Sequence, residues 1–246
     1  MLDASFNQKL KAEKPIISLT ITASLLLIGK EYFGSAFQIY PLLEFFNFNE
    51  MLNTFKYSQD AHFYKQLYWL IGCYLFYLIL PMCYLMLSNS KLSEVGWKHT
   101  VPKKHLSIYI IFAFIIVPVI IIAATTEKFQ NTYPFFKFNP FIHSWQHFAI
   151  WETGYMFQFV AVEFFFRGFL LFSLARFIGP YAVYVSVIPY CMIHFGKPLP
   201  ETIGAIIAGI VLGKMALASK SILPGILIHC LVGCLMDCLS IYHKYY

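Results

Sequence analysis

The sequence predicts an all-α protein, a polytopic transmembrane bundle of about seven helices. Of the 246 residues, 59% are hydrophobic and only 12% are charged, and the mean hydropathy is +0.64. A soluble domain carries about 25% charged residues and cannot keep this much apolar surface out of water. Each bilayer crossing needs about 20 mostly apolar residues, so the chain length suits one membrane domain with short loops. These observations exclude an ordinary soluble protein.

The first half of the chain contains three apolar runs that are predicted to cross the membrane. The first covers about residues 16–28, and the next two cover 66–87 and 106–124. Between the first and the second lies a segment, 40–65, that mixes aromatic with charged side chains. This mixture is typical of chain at the membrane surface, because aromatic rings favour the level of the lipid headgroups.

The distribution of lysines predicts the orientation of the bundle. Loop 88–105 carries four lysines and one acidic residue: Lys91, Lys98, Lys103, Lys104 and Glu94. Cytoplasmic loops carry an excess of Lys and Arg. We therefore expect this loop and the polar N-terminal tail, residues 1–14, in the cytoplasm, and the bundle in the cell membrane. In a soluble protein, a net charge of +6 would suggest a nucleic-acid partner. Here the lysines lie between apolar runs, where they set the orientation in the membrane, so no nucleic-acid partner is predicted.

The second half of the chain begins with an aromatic, proline-containing loop and continues with four predicted helices. The first of these, 147–177, is long enough for about 30 residues of helix and could also break near Gly154. The others are predicted to cover 181–195, 201–218 and 221–242. Glycine and proline separate the runs, since proline cannot continue a helix.

Four ionisable residues stand out within the apolar runs of this second half: Glu163, Arg167, His194 and His229. An ionisable group at bilayer depth costs a few kcal/mol, which makes each a candidate for function. Glu163 and Arg167 are four residues apart and face the same side of a helix. An ion pair that only stabilises the bundle would explain these two, but His229 needs a partner on another helix.

Together, the carboxylate of Glu163 and the imidazoles of His194 and His229 predict a hydrolytic site. Each lies on a different predicted helix. One carboxylate and two imidazoles can supply a base, an orienting group and a donor for developing negative charge. Such a set can activate a water molecule.

Three short segments carry these residues in a recognisable order. They are Val162–Leu171 (V-E-F-F-F-R-G-F-L-L), Tyr190–His194 (Y-C-M-I-H) and His229–Gly233 (H-C-L-V-G). The segments resemble Glu-Glu-x-x-x-Arg, Phe-x-x-x-His and His-x-x-x-Asn, the pattern of the CAAX protease and bacteriocin-processing (CPBP) family, which includes the type II CAAX prenyl endopeptidases. Leu92–Trp97 resembles a segment often found upstream. The resemblance covers about Trp145–Tyr242.

The resemblance implies two parts of the chain and an activity. Residues 1–144 would supply N-terminal transmembrane helices and interfacial loops, and residues 145–246 a CPBP-like membrane domain. The implied function is an intramembrane endopeptidase that hydrolyses a peptide bond of a membrane-associated peptide or protein, with or without a lipid anchor. Glu163 and His194 would activate water, His229 would stabilise the oxyanion, and Arg167 would hold Glu163 in place.

No obligatory cofactor is predicted, and a divalent metal such as zinc stays an open alternative. Zinc proteases commonly place two histidines at His-Glu-x-x-His spacing on one helix. Here, the two histidines and the carboxylate lie on three separate predicted helices.

Two positions differ from the family pattern and leave the function open between enzyme and binder. Val162 stands where the family has its first glutamate, and Gly233 stands where it has asparagine. Glu163 could serve as base after a helix rotation, and Asp237, two turns beyond His229, could replace the polar group missing at 233. The alternative is an impaired family member that binds a peptide or membrane protein in immunity or peptide export. A proton-relaying transporter is a third alternative.

Overall fold

The structure is a computed structural model that describes residues 4–98 and 100–246, with side chains from Glu13 onward. The described residues form helices and no strand. The prediction of an all-α transmembrane bundle is therefore confirmed. The first three residues of the predicted cytoplasmic tail lie outside the described residues.

Twelve α-helices follow one another along the described chain. They are α1 (Ala4–Phe33), α2 (Ala36–Phe45), α3 (Asn49–Tyr57), α4 (Ala61–Tyr74), α5 (Leu80–Leu87), α6 (Lys103–Ala124), α7 (Glu127–Thr132), α8 (Trp145–Glu163), α9 (Ser173–Ile178), α10 (Ala182–Met192), α11 (Leu199–Ser219) and α12 (Leu223–Tyr245). Two π-helical segments, Leu75–Ile79 and Phe164–Phe172, join α4 to α5 and α8 to α9.

Six helical stretches of the described chain are long and apolar enough to cross a membrane. They are Glu13–Phe33, Ala61–Leu87, Lys103–Ala124, Trp145–Met192, Leu199–Ser219 and Leu223–Tyr245. The sequence predicts about seven, because it separates the runs before and after Gly179-Pro180. In the structure, only a single 3₁₀ turn, Gly179–Tyr181, stands between α9 and α10. The 48-residue stretch therefore contains both predicted runs, and the chain reverses direction at this turn, since Arg167 lies against Tyr190.

The segment predicted at the membrane surface folds into two short helices. α2 and α3 bury Leu43, Leu52 and Phe55 in a small apolar cluster, while Lys56 pairs with Glu44 at 2.8 Å on the exposed side. Such short amphipathic helices suit an interfacial position better than a crossing.

The stretch from α8 to α9 does not break at Gly154, where the Tyr74 hydroxyl donates to the backbone carbonyl at 2.6 Å. It changes to π-helical geometry directly after Glu163. π-helical turns within α-helices are frequent at functional sites. The π segment is buried, with Phe164, Phe165 and Phe169 fully excluded from solvent.

The segment Leu92–Trp97 packs against this π segment. Gly96 has a φ of +78°, and its carbonyl accepts a hydrogen bond from the Ile222 backbone N–H at 2.9 Å. A Cβ at Gly168 would lie 3.2 Å from the Val95 carbonyl oxygen. The segment therefore fixes the beginning of α12 beside the π segment.

One end of the bundle, the lysine-rich face, consists of the beginning of α1, the loop 88–102 and the turns 179–181 and 220–222. Contacts among these parts hold the face together. Arg176 pairs with Glu94 at 3.0 Å, and the Ser221 hydroxyl donates to the Lys98 carbonyl at 2.8 Å.

The other end, the opposite face, consists of the end of α1, segments 125–144 and 193–198, and the end of α12. Tyr133 joins segment 125–144 to α11 and α12. Its hydroxyl donates to the Glu201 carboxylate at 2.7 Å, and its carbonyl accepts from the Ser240 hydroxyl at 2.6 Å.

Candidate active site

Glu163 lies at the end of α8 and is completely buried. Its Oε1 atom is 3.1 Å from Nη1 of Arg167 and accepts a hydrogen bond from Nδ1 of His229 at 2.9 Å. Its Oε2 atom is buried without a hydrogen-bond partner. Room for this carboxylate depends on Gly225 in α12, because a Cβ there would lie 3.0 Å from Oε2.

Arg167 connects the π segment with α10. Its guanidinium carbon lies 3.8 Å from the centre of the Tyr190 ring, and the residue is only 3% exposed. A buried cation over an aromatic face gains about 2 kcal/mol or more. Arg167 therefore neutralises Glu163 on one side and packs against Tyr190 on the other.

His194 follows the end of α10 and has a defined tautomer. Its Nδ1 atom lies 2.8 Å from the Tyr190 carbonyl oxygen, which can only accept, so Nδ1 carries the proton and Nε2 keeps its lone pair. The Thr202 hydroxyl holds the backbone by donating to the His194 carbonyl at 2.9 Å. Burial, reinforced by Lys197, lowers the pKa of His194 to about 3, which keeps the imidazole neutral at pH 7.

His229 lies in α12 and is fixed on two sides. Its Nδ1 atom donates to Glu163, and its ring stacks on Phe159 of α8 with 4.4 Å between ring centres. Because Nδ1 is occupied by the hydrogen bond to the carboxylate, Nε2 is the ring nitrogen that stays available for chemistry.

A cavity of about 760 Å³ contains both histidines in its wall. Most of the other lining residues are apolar or aromatic, among them Leu27, Trp69, Tyr77, Phe135, Tyr155, Phe159 and Val162. Polar groups come from Lys30, Glu31, Thr132, Gln158 and Lys197. Glu163 contacts His229 but does not line the cavity. The structure thus brings His194 and His229 to one space, with Glu163 behind His229.

The contacts of Val162 and Gly233 show what surrounds the two positions that differ from the family pattern. Val162 lines the cavity at 2% exposure, so it places an apolar side chain where the family has a carboxylate. A Cβ at Gly233 would overlap the Phe159 ring. The ring that stacks on His229 therefore fills the space that an asparagine at position 233 would need.

Asp237 lies away from the cavity. It is completely buried, and its Oδ2 atom accepts a hydrogen bond from the Trp151 indole at 3.2 Å. It does not appear in the cavity wall. The structure thus places this candidate supporting residue beside Trp151 rather than beside the histidines.

Among the side chains that the structure describes, no three from His, Cys, Asp and Glu lie close enough together to hold a metal ion. The prediction that no metal is obligatory remains a prediction.

Gln158, Lys197 and Phe159 are among the cavity-wall residues that sequence reasoning missed. Gln158 could have been found, because it is a polar residue one helical turn before Val162 in an apolar run. Lys197 also carried a signal, since Glu201 follows four residues later and pairs with it at 2.8 Å. Phe159 carried none, because an aromatic residue in an apolar run does not reveal which neighbour it contacts.

Comparisons with known proteins agree with the motifs. No curated protein and no solved structure matches the chain. Residues 143–235 match the family described as Type II CAAX prenyl endopeptidase Rce1-like. This region contains all three motif segments and both cavity histidines. The match supports the predicted resemblance: over residues 143–235, the chain is similar to the Rce1-like family of CAAX proteases.

Proposed function

We propose that the protein is an intramembrane endopeptidase that hydrolyses a peptide bond of a membrane-associated substrate with a water molecule held in the cavity. The observation that carries this proposal is the pair His194 and His229 in one otherwise largely apolar cavity. Each histidine has its Nδ1 atom occupied by a hydrogen bond. Each therefore presents Nε2 for chemistry, which is the arrangement that acid–base catalysis needs.

His194 is the general base in this mechanism. Its Nε2 atom accepts a proton from the water while the water oxygen attacks the substrate carbonyl. The same proton then passes from Nε2 to the nitrogen of the leaving peptide, so His194 returns to its neutral form. A neutral imidazole has the free lone pair on Nε2 that accepting this proton requires.

His229 stabilises the negative charge on the carbonyl oxygen. In its protonated form it donates from Nε2 to the oxyanion, and the Glu163 carboxylate on Nδ1 stabilises the imidazolium. Glu163 then acts as a positioning residue, through His229, rather than by accepting the proton of water itself. Arg167 holds the Glu163 carboxylate in the orientation that His229 requires.

Val162 and Gly233 lack the polar groups that the family pattern has at these positions, which makes the proposed enzyme slow. The loss of a single oxyanion donor typically costs about 100- to 1000-fold in turnover. The same two positions favour the second candidate, a family member that binds a peptide without cleaving it. Retention of a neutral His194 and an oriented His229 in the same cavity favours the enzyme.

A comparison of membrane proteomes tests the proposal. Membranes with the wild-type protein, the Glu163→Gln variant or the His194→Ala variant are compared for new peptide termini. We expect termini that occur with the wild type and are lost in both variants, at equal amounts of folded protein. Identical termini in all three samples would overturn the enzyme, and substrate capture by all three would support the binder.

A further inference from the structure

A second cavity, of about 440 Å³, lies between α1, the end of α5 and α9. Its volume is within the range of about 300 to 1,000 Å³ that is typical of small-molecule sites. Its described wall contains Lys14, Ser18, Ser90, Ser173 and Arg176, and no acidic side chain. None of these five residues lines the cavity of the two histidines. This basic pocket is therefore a separate site.

The two cations of the basic pocket come from helices that are far apart in the chain. Lys14 lies in α1 and Arg176 in α9. The Glu94 carboxylate contacts one guanidinium nitrogen of Arg176 at 3.0 Å. A guanidinium has five N–H donors, so this contact orients Arg176 without using all of its donors. Neither Glu94 nor Glu13, the neighbour of Lys14, lines the pocket.

Hydroxyl groups stand beside these cations. The Ser18 hydroxyl accepts a hydrogen bond from the Tyr84 hydroxyl at 3.1 Å, and its own proton can be donated to a ligand. Ser173 is buried and still lines the pocket, so the pocket reaches into the bundle at the beginning of α9. Lysine, arginine and hydroxyl donors together suit the oxygens of a phosphate group.

The basic pocket lies at the level where the helices leave the membrane. The candidate span Glu13–Phe33 begins at the pocket, and the candidate span Ala61–Leu87 ends there. The wall residue Phe177 directly precedes the last residue of α9, before the turn Gly179–Tyr181. The ends of spans meet the headgroup region of the bilayer, which is where lipid phosphates lie.

An apolar surface continues from the pocket along α1. The helical face that carries Lys14 goes on with Ile21 and Leu25, both more than half exposed. A lipid in the pocket would lay an acyl chain along this face, whereas a free phosphate ion would leave it uncovered. The apolar surface therefore favours a lipid over a free anion.

We propose that the basic pocket binds the phosphate of an anionic phospholipid between Lys14 and Arg176, with an acyl chain along α1. Basic pockets between transmembrane helices are a known form of lipid recognition. The lipid would join α1 to α9, which lies within the family-matched residues 143–235. Binding at this site is independent of hydrolysis at the histidines.

Binding of short-chain phosphatidylglycerol to the full chain in an uncharged detergent tests the site. The pocket variant is Lys14→Gln with Arg176→Gln. The control is Lys103→Gln with Lys104→Gln, which removes the same charge from two exposed residues outside the pocket wall. We expect affinity to fall about 10-fold or more in the pocket variant, because a hydrogen bond to a charged group contributes at least about that factor. The control should bind as the wild type does.

Two results would overturn the site: wild-type affinity in the pocket variant, or equal losses in the pocket variant and the control. Melting curves without lipid check that the variants are folded. If the pocket variant does not fold, Lys14→Gln alone, compared with Lys103→Gln, decides the same question, since both residues are exposed.

Inorganic phosphate and phosphatidylcholine identify the source of the phosphate. We expect that inorganic phosphate at equal concentration does not displace phosphatidylglycerol. We also expect weaker binding of phosphatidylcholine, because its choline group cancels the charge of the phosphate. Displacement by inorganic phosphate would overturn the lipid in favour of a free anion. Equal binding of the two lipids would overturn the role of the two cations.

Discussion

Arg167 and Glu163 form the most buried ion pair of the described chain, with 4% and 1% of their side chains exposed. Removal of one partner leaves a buried charge without compensation and costs about 3 to 5 kcal/mol. We predict that Arg167→Ala lowers the thermal stability in detergent strongly. Arg176→Ala is the matched control, because its pair with Glu94 is about 40% exposed and such pairs contribute about 0 to 1 kcal/mol. Equal stability of the two variants would contradict this account of Glu163.

The lowered pKa of His194 predicts that the stability of the folded protein depends on pH. Its pKa in the folded protein is about 3 because of burial, against about 6.5 in the unfolded chain. Below pH 6.5 the unfolded chain takes up a proton that the folded protein does not, so stability falls as the pH falls. At pH 5.5 the loss from this group is about 1.4 kcal/mol. Melting curves from pH 7.5 to 5.5 should show a smaller decrease for His194→Asn, and an equal decrease would contradict the prediction.

Val162 offers a gain-of-function test at the cavity wall. Val162→Glu adds a carboxylate beside the two histidines, and a positioned acid–base group contributes about 10²- to 10⁴-fold. We predict faster turnover than the wild type at some loss of stability. Val162→Gln is the control, since it has the same size but cannot accept a proton. If both variants are equally slow, the apolar group at 162 does not limit the reaction.

At the scale of helices, the position of α12 against α8 depends on a glycine. A Cβ at Gly225 would press on Oε2 of Glu163, so we predict that Gly225→Ala displaces the carboxylate and lowers both stability and turnover. Gly204→Ala in α11 is the control, because a Cβ there meets nothing within 4 Å. A Gly225→Ala variant as stable and active as the control would show that the contact is unimportant.

Sequence reasoning located the helices and the polar residues of the site, but not their packing. Glu163, Arg167, His194 and His229 could be found because each is costly in an apolar run. The π-helical segment could not be predicted. The same residues can form backbone hydrogen bonds in α- or π-helical geometry, and only tertiary packing decides between the two. The contact of Phe159 with Gly233 and His229 is likewise a property of two helices together.

At the scale of the molecule, the cavity takes its wall from both predicted parts of the chain. Leu27, Trp69 and Tyr77 come from residues 1–144, whereas Gln158, His194 and His229 come from residues 145–246. The N-terminal helices therefore contribute to the proposed substrate site as well as to the bundle. The boundary at residue 144 remains a prediction.

Cleavage kinetics in proteoliposomes test the central claim most directly, the claim that His194 and His229 act together on one peptide bond. Wild type, His194→Ala, His229→Ala and the double variant are compared on one membrane-anchored peptide. We predict that each single variant loses about 100-fold or more in turnover and that the double variant is little slower, because residues that act as a unit give non-additive losses. Wild-type rates in either single variant, or losses that multiply in the double variant, would contradict the account.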